Sequence, residues 1–302
     1  MRNPATRRSL QTLFAVVASA AVLTGACGGG ASASDGRVGV VAAENVYGDI
    51  ASQLGGRLVD VTSIITSPTA DPHLYQPTTQ NAAEVGGARV VIENGLGYDA
   101  FMDKLLSSTP TSSRTTVIVA DILHISGADA NPHLWYDVPK LPDIARAISN
   151  ALVAADAGHR SYFLDRLRRF DRSLRPLQQA IARIKAKAAD APVAYTEPVP
   201  GYLLEASGLA VRTPDAFARA IEEGNDPSPQ SVSEMEALLT NHQVKVLLYN
   251  SQATSPITTR LRTLASSNGI PVVAVAETLP IGLSFQDWQL GEADAIGRAL
   301  RI

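Results

Sequence analysis

The chain has 302 residues, 45% hydrophobic and 18% charged, which marks a globular protein and excludes a disordered one. Its 26 basic and 29 acidic residues leave a formal charge of −3, a balance that argues against a nucleic-acid partner and suits a cationic cargo. A single cysteine, Cys27, excludes any intramolecular disulfide.

At the N-terminus, Arg2, Arg7 and Arg8 precede the apolar run LFAVVASAAVL, the pattern of an export signal. The run falls short of the ~20 apolar residues that a membrane span needs, and no later stretch comes closer. LTGAC follows directly, and a small-residue run closing on a solitary cysteine resembles a bacterial lipobox, in which Cys27 becomes the lipidated first residue. An ordinary cleavage site beside an incidental cysteine is the alternative. Residues 1–27 therefore read as a signal peptide with lipobox, and GGGASASDG, 28–36, as a flexible tether that holds a body near a membrane surface. Loss of the three signal arginines leaves 23 basic against 29 acidic residues, a charge of about −6.

The remaining body of roughly 265 residues is too long for one small core and suits two lobes. Strand candidates in the first half are RVGVVAAE, LVDVTSII, ARVVIE and TTVIVAD; PVAYTE, VKVLLYN and IPVVAVAE follow in the second. Helical stretches such as VYGDIASQLGG and VSEMEALLTNHQ lie between them. Continuous apolar strands separated by amphipathic helices indicate parallel sheets covered on both faces, so the fold class is α/β with two lobes. At the join, Phe163, Leu167, Phe170, Leu174, Leu177, Ile181, Ile184 and Ala188 step by four and three, while Arg166, Arg168, Arg169, Arg172 and Lys185 fall off that stripe. This predicts one long spine helix over 159–190, ~45 Å if unbroken, kinked or divided at Pro176. The lobes are then 37–158 and 191–302, and a stiff spine favours local loop movement over large lobe closure.

Two phrases repeat. ADPHLYQPT spans Ala70–Thr78 and ANPHLWYDV spans Ala130–Val138. In each, proline fixes its own φ and pushes the preceding Asp71 or Asn131 out of helical conformation, so that His73 and His133 ride on stiff extended loops. Leu74 and Tyr75, like Leu134 and Trp135, are placed to bury beside the imidazole. Both phrases lie beyond strands of the first lobe, where ligand sites of parallel sheets form. In the second lobe the matching places hold Glu197, ending PVAYTE, and Glu277, ending IPVVAVAE. Taken singly, each histidine reads as a satisfied turn residue and each carboxylate as a helix cap or a solvated group. Together, two neutral imidazoles and two carboxylates neutralise a divalent cation, which can then be buried in the cleft with two ligands from each lobe. Asp71 and Asn131 are expected to shape the loops, and Asp137 to serve as partner for an imidazole N–H. His159 and His242 read as surface groups, and His124 is left undecided between a surface group and a peripheral contact.

The signal and lipobox, NVYGDIASQLGG, DPHLYQPT, IENGLGYDAFMDKLL, NPHLWYD, the spine, YTEPVPGYLLEASGL and AETLP with SFQDW occur in an order that resembles the solute-binding lipoproteins of zinc and manganese ABC importers, the cluster A-I metal-binding proteins. The resemblance spans essentially the whole mature chain. It implies metal ligands at His73, His133, Glu197 and Glu277, with Glu at the last position where the family usually has Asp. It further implies a lipid-anchored extracytoplasmic monomer that hands its cargo to a permease driven by an ATPase, and no enzymatic activity. Two nitrogens and two carboxylates do not choose between Zn2+ and Mn2+: monodentate carboxylates give a tetrahedral site for zinc, and bidentate ones a higher coordination suited to manganese. Glu197 and the lack of a His-rich loop before His133 lean towards manganese. Two rival readings remain at this level: a surface metal reservoir or adhesin uncoupled from transport, and a zinc-dependent hydrolase. The hydrolase would need an open coordination position, which four ligands leave no room for.

Overall fold

The computed structural model describes residues 36–67 and 75–302. The export signal, Cys27, the tether as far as Asp35, and both Asp71 and His73 lie outside the described residues.

Strands β1 (Val38–Glu44), β2 (Val59–Ile65), β3 (Val90–Glu93) and β4 (Thr115–Ile118) form a parallel sheet in the order β2-β1-β3-β4. The second sheet repeats that topology: β5 (Pro192–Tyr195), β6 (Ala210–Val211), β7 (Leu247–Asn250) and β8 (Val272–Val275) run parallel in the order β6-β5-β7-β8. Every residue of β3 and β7 is buried, because helices cover both faces of each sheet. The expected strand TTVIVAD is strand for only its first four residues; there the Ala120 N–H turns to the Asn94 carbonyl at 2.9 Å and a short helix begins. An unbroken apolar run serves a buried helix as well as a strand, and the residue pattern did not separate them.

The helices of the first lobe are α1 (Asn45–Gly55), α2 (Thr79–Gly87), α3 (Phe101–Ser108), α4 (Val119–Leu123) and α5 (Leu141–Ala155). Gly55 closes α1 where a Cβ would lie 2.1 Å from Val59 Cγ1, so only glycine lets the helix end lie this close to β2. The spine is two helices, α6 (Arg160–Ser173) and α7 (Arg175–Ala188), divided at Leu174. Pro176 sits in the first turn of α7, where its missing N–H has no partner to lose. Phe163, Phe170, Leu174, Leu177, Ile181 and Ile184 are all buried along one continuous stripe.

Helices α8 (Gly201–Ala206), α9 (Asp215–Glu222), α10 (Pro229–Thr240), α11 (Pro256–Ser267) and α12 (Phe285–Ala299) complete the second lobe. In the spine, α6 packs on α1 and α5, and α7 packs on α12 and α8. One hydrophobic core runs from Val38 through Phe163 and Leu177 to Ile296, so the lobes share their interior. Smaller clusters fill the far face of each sheet, around Met102 in the first and Met235 in the second. Polar ties also cross the join: the Asn45 amide donates to the Leu279 carbonyl at 2.8 Å and its Oδ1 accepts the Leu279 N–H at 2.9 Å.

Candidate metal centre

His133 is aimed by the residue two places before it. Asn131 Oδ1 accepts the His133 backbone N–H at 3.1 Å and stands 2.8 Å from the ring nitrogen Nδ1. Asn131 is itself tied to the second lobe: its amide donates to the Pro198 carbonyl at 2.7 Å, and its own carbonyl accepts the Tyr202 hydroxyl at 2.8 Å. Gly201 makes this approach possible, since a Cβ there would lie 2.7 Å from the Asn131 amide nitrogen. An amide oxygen only accepts, so the neutral ring carries its proton on Nδ1 and presents the Nε2 lone pair. Nε2 is buried, makes no hydrogen bond, and faces Glu277 Oε2 at 3.5 Å. Tyr98 and Trp135 meet the imidazole edge-on, with ring centroids 5.6 and 5.4 Å away, and lock its plane.

Glu197 follows β5 and Glu277 follows β8, and both side chains are buried. Asn250, the last residue of β7, joins them: its amide nitrogen donates to Glu197 Oε2 and, at 2.7 Å, to Glu277 Oε1. Since β5 leads out to β6 on one side and β7 on the other, Glu197 and Asn250 flank the point where the strand order reverses, the usual crevice for ligands. The Glu277 N–H donates to Gln252 Oε1 at 2.6 Å, and the Tyr98 hydroxyl of the first lobe donates to Glu277 Oε2 at 2.8 Å. Burial, then the Glu277 charge, pushes the Tyr98 phenol well above its usual range, so it acts as a neutral donor. For His133, burial lowers the pKa, but the carboxylates of Glu222, Glu277 and Glu197 outweigh it and hold the imidazole above its ordinary value.

Three of the four expected ligands are thus brought together, and the fourth, His73, lies outside the described residues. Among the described residues, the ligand atoms that fall within 4.8 Å of one another belong to His133, Glu197 and a residue not foreseen, Glu222. The partner expected for an imidazole N–H also differs at His133: Asn131 meets Nδ1. Asp137 is half-buried beside Lys140 and its carbonyl accepts the Lys140 N–H at 2.9 Å. The turn of the NPH phrase folds Asn131 back on the ring, while Asp137 continues into the next turn. Asn250 and Tyr98 were present in VKVLLYN and GLGYD without a signal of their role. Glu222 had one: a carboxylate in the last turn of a helix opposes the helix dipole and asks for a compensating group.

Imidazole nitrogen and carboxylate oxygens are borderline-to-hard donors, the set that holds first-row divalent ions. Among the described residues no helix is long and apolar enough to cross a membrane. Residues 40–299 match the family described as zinc-uptake complex component A, periplasmic. The chain is 23% identical to the manganese ABC transporter substrate-binding lipoprotein PsaA of Streptococcus mitis, covering 97% of this chain and 99% of that protein. It is also 23% identical to the zinc-binding protein TroA of Treponema pallidum, over 86% of each. The solved structure of that periplasmic zinc-binding protein superposes with a TM-score of 0.75 at 20% identity, over 88% of this chain and 99% of the other. Its fold is therefore the two-lobed one described above.

Proposed function

The chain belongs to the family of zinc-uptake complex component A, and on that premise we propose that it is an extracytoplasmic receptor which binds one divalent transition-metal ion and passes it to an ABC permease driven by an ATPase. The cargo is Zn2+ or Mn2+, the ions named for its relatives in Treponema pallidum and Streptococcus mitis. Its ligands are His73 and His133 from the lobe of residues 37–158, and Glu197 and Glu277 from the lobe of 191–302, with 159–190 as the bridge. One observation carries this reading: an imidazole and two carboxylates from opposite lobes are buried together, with Nε2 of His133 making no hydrogen bond and facing Glu277. Burying such charges is costly unless a cation compensates them. Four protein donors fill a tetrahedral shell, the mark of a carrier, whereas a catalytic zinc keeps a position open for water. A lipid on Cys27 tethers the receptor, as a monomer, to the outer face of the cell membrane.

Elemental analysis of the full mature chain, purified without tag or chelator, tests the site. One ion per chain is expected in the wild type, with loss of the ion in His73→Ala and in Glu277→Ala; full retention by both variants defeats the proposal. Transport is tested separately by deleting the gene and measuring cell metal content in scarce medium. Unchanged uptake would replace the transport role with that of a surface reservoir.

A further inference from the structure

Glu222 closes α9 and stands at the edge of the buried cluster. Its Oε2 is inaccessible to solvent, makes no hydrogen bond, and lies 3.9 Å from His133 Nδ1. An oxygen of Glu222, an oxygen of Glu197 and a ring nitrogen of His133 fall within 4.8 Å of one another. That span is one that a single ion bridges with bonds of ~2.0–2.4 Å after small side-chain rotations. On its other side Glu222 borders a cavity of about 460 Å³ between the lobes, which Asp129, Asp215, Arg219 and Glu223 also line. The side chain is 16% exposed, so Glu222 separates solvent in that cavity from the enclosed imidazole. A carboxylate oxygen that is buried, without a donor, and at the negative end of a helix is unfavourable in all three respects unless a cation lies against it.

We propose that Glu222 is a further carboxylate ligand of the bound ion, approached from the cavity, and that it biases the site towards ions that take five or six ligands. The inference rests on the reading of this cleft as a metal site. A tetrahedral Zn2+ is satisfied by four ligands and gains little from a further carboxylate, whereas Mn2+ takes five or six and gains from the hard oxygen of Glu222. Glu222 then acts on specificity: it raises the affinity for Mn2+ and adds little for Zn2+.

The test compares the full mature wild-type chain with Glu222→Gln and Glu223→Gln, titrating each with Zn2+ alone and with Mn2+ alone. Glutamine keeps the shape of the side chain and exchanges a charged oxygen for a weak neutral donor; Glu223 is exposed, lines the same cavity, and controls for its general field. For Glu222→Gln the expected result is a loss of Mn2+ affinity of about tenfold or more, with a clearly smaller loss for Zn2+. Glu223→Gln leaves both unchanged. Electron paramagnetic resonance of the Mn2+ form in 17O-enriched water should show added line broadening in Glu222→Gln, as water takes the vacated position. Equal losses for the two ions with no added broadening would make Glu222 a positioning residue for His133 and overturn the proposal. So would unchanged affinities, or the same effect from Glu223→Gln. A wild type that binds neither ion, or a Glu197→Gln variant that binds both as tightly as wild type, would instead remove the metal site itself.

Discussion

Replacing Glu292 by glutamine should stabilise the protein at neutral pH, although Glu292 is buried and fully engaged. It sits in α12 behind the strand that leads to Glu277, where Oε1 accepts the Trp288 indole N–H at 2.8 Å and the Ala276 N–H at 3.3 Å. Oε2 lies 2.7 Å from the Tyr136 hydroxyl, which is also 2.7 Å from the Ala276 carbonyl. One phenol hydrogen cannot serve two acceptors. A proton on Glu292 resolves this, since the carboxyl then donates to Tyr136 and Tyr136 donates to Ala276. Burial raises the Glu292 carboxyl from 4.5 to about 8 against the opposing hydrogen bonds. The native state therefore holds a proton that the unfolded chain releases above pH 4.5. This group's contribution to stability is complete below pH 4.5 and falls as pH rises towards 8. At about 1.4 kcal/mol per pH unit, native Glu292 costs about 3 kcal/mol by pH 7. Glutamine is neutral at every pH, and its amide can donate to Tyr136 in the same way. Its second N–H lacks the acceptor that a carboxyl does not need, which offsets about 1 kcal/mol. The net expectation is a gain of about 2 kcal/mol at pH 7, vanishing towards pH 5. Urea unfolding of the metal-free wild type and Glu292→Gln, at intervals from pH 5 to pH 8, measures it. Parallel pH profiles for the two proteins would refute the reasoning, because they would show that no proton is held at this position.

Asn250→Ala removes the donor shared by Glu197 and Glu277; two lost hydrogen bonds to charged groups should cost about 3 kcal/mol in the metal-free protein. Thermal unfolding with and without added Zn2+ checks this, and the deficit should shrink when the ion is bound, since a cation replaces the positive end of the amide. Neighbouring carboxylates hold His133 above the ordinary imidazole pKa, and below that raised value an incoming ion must displace the proton on Nε2. Metal affinity should then fall by about one log unit for each pH unit below that raised value, and a flat profile in titrations across the acid range would contradict the assignment. Gly55→Ala would force a Cβ to within 2.1, 2.4 and 2.8 Å of three Val59 carbons. A loss of about 1–3 kcal/mol with unchanged metal binding is expected, read from the melting temperature beside a metal titration.

Much of this molecule is a local property of its residues. Strands β1, β3 and β7 are legible because burial on both faces demands an unbroken apolar run, and the spine because Phe163 to Ile184 repeat with the helical period. The division of the spine, at Leu174, follows from the ring of Pro176, which opens the second helix. The NPH phrase and the carboxylates at strand ends likewise carried their own signals. Where apolar character alone had to choose between strand and short helix, as in TTVIVAD, the local pattern was silent, and the two-residue β6 was too short to show one. Only the packed molecule could bring Glu222 and Asn250 to the imidazole and carboxylates, or set Tyr98 of one lobe on Glu277 of the other. It alone turned Asn131, in place of Asp137, onto Nδ1 of His133. The physical reason is that periodicity is written between neighbours in the chain, whereas which polar groups face one another is decided by how two separately built sheets close over a shared core.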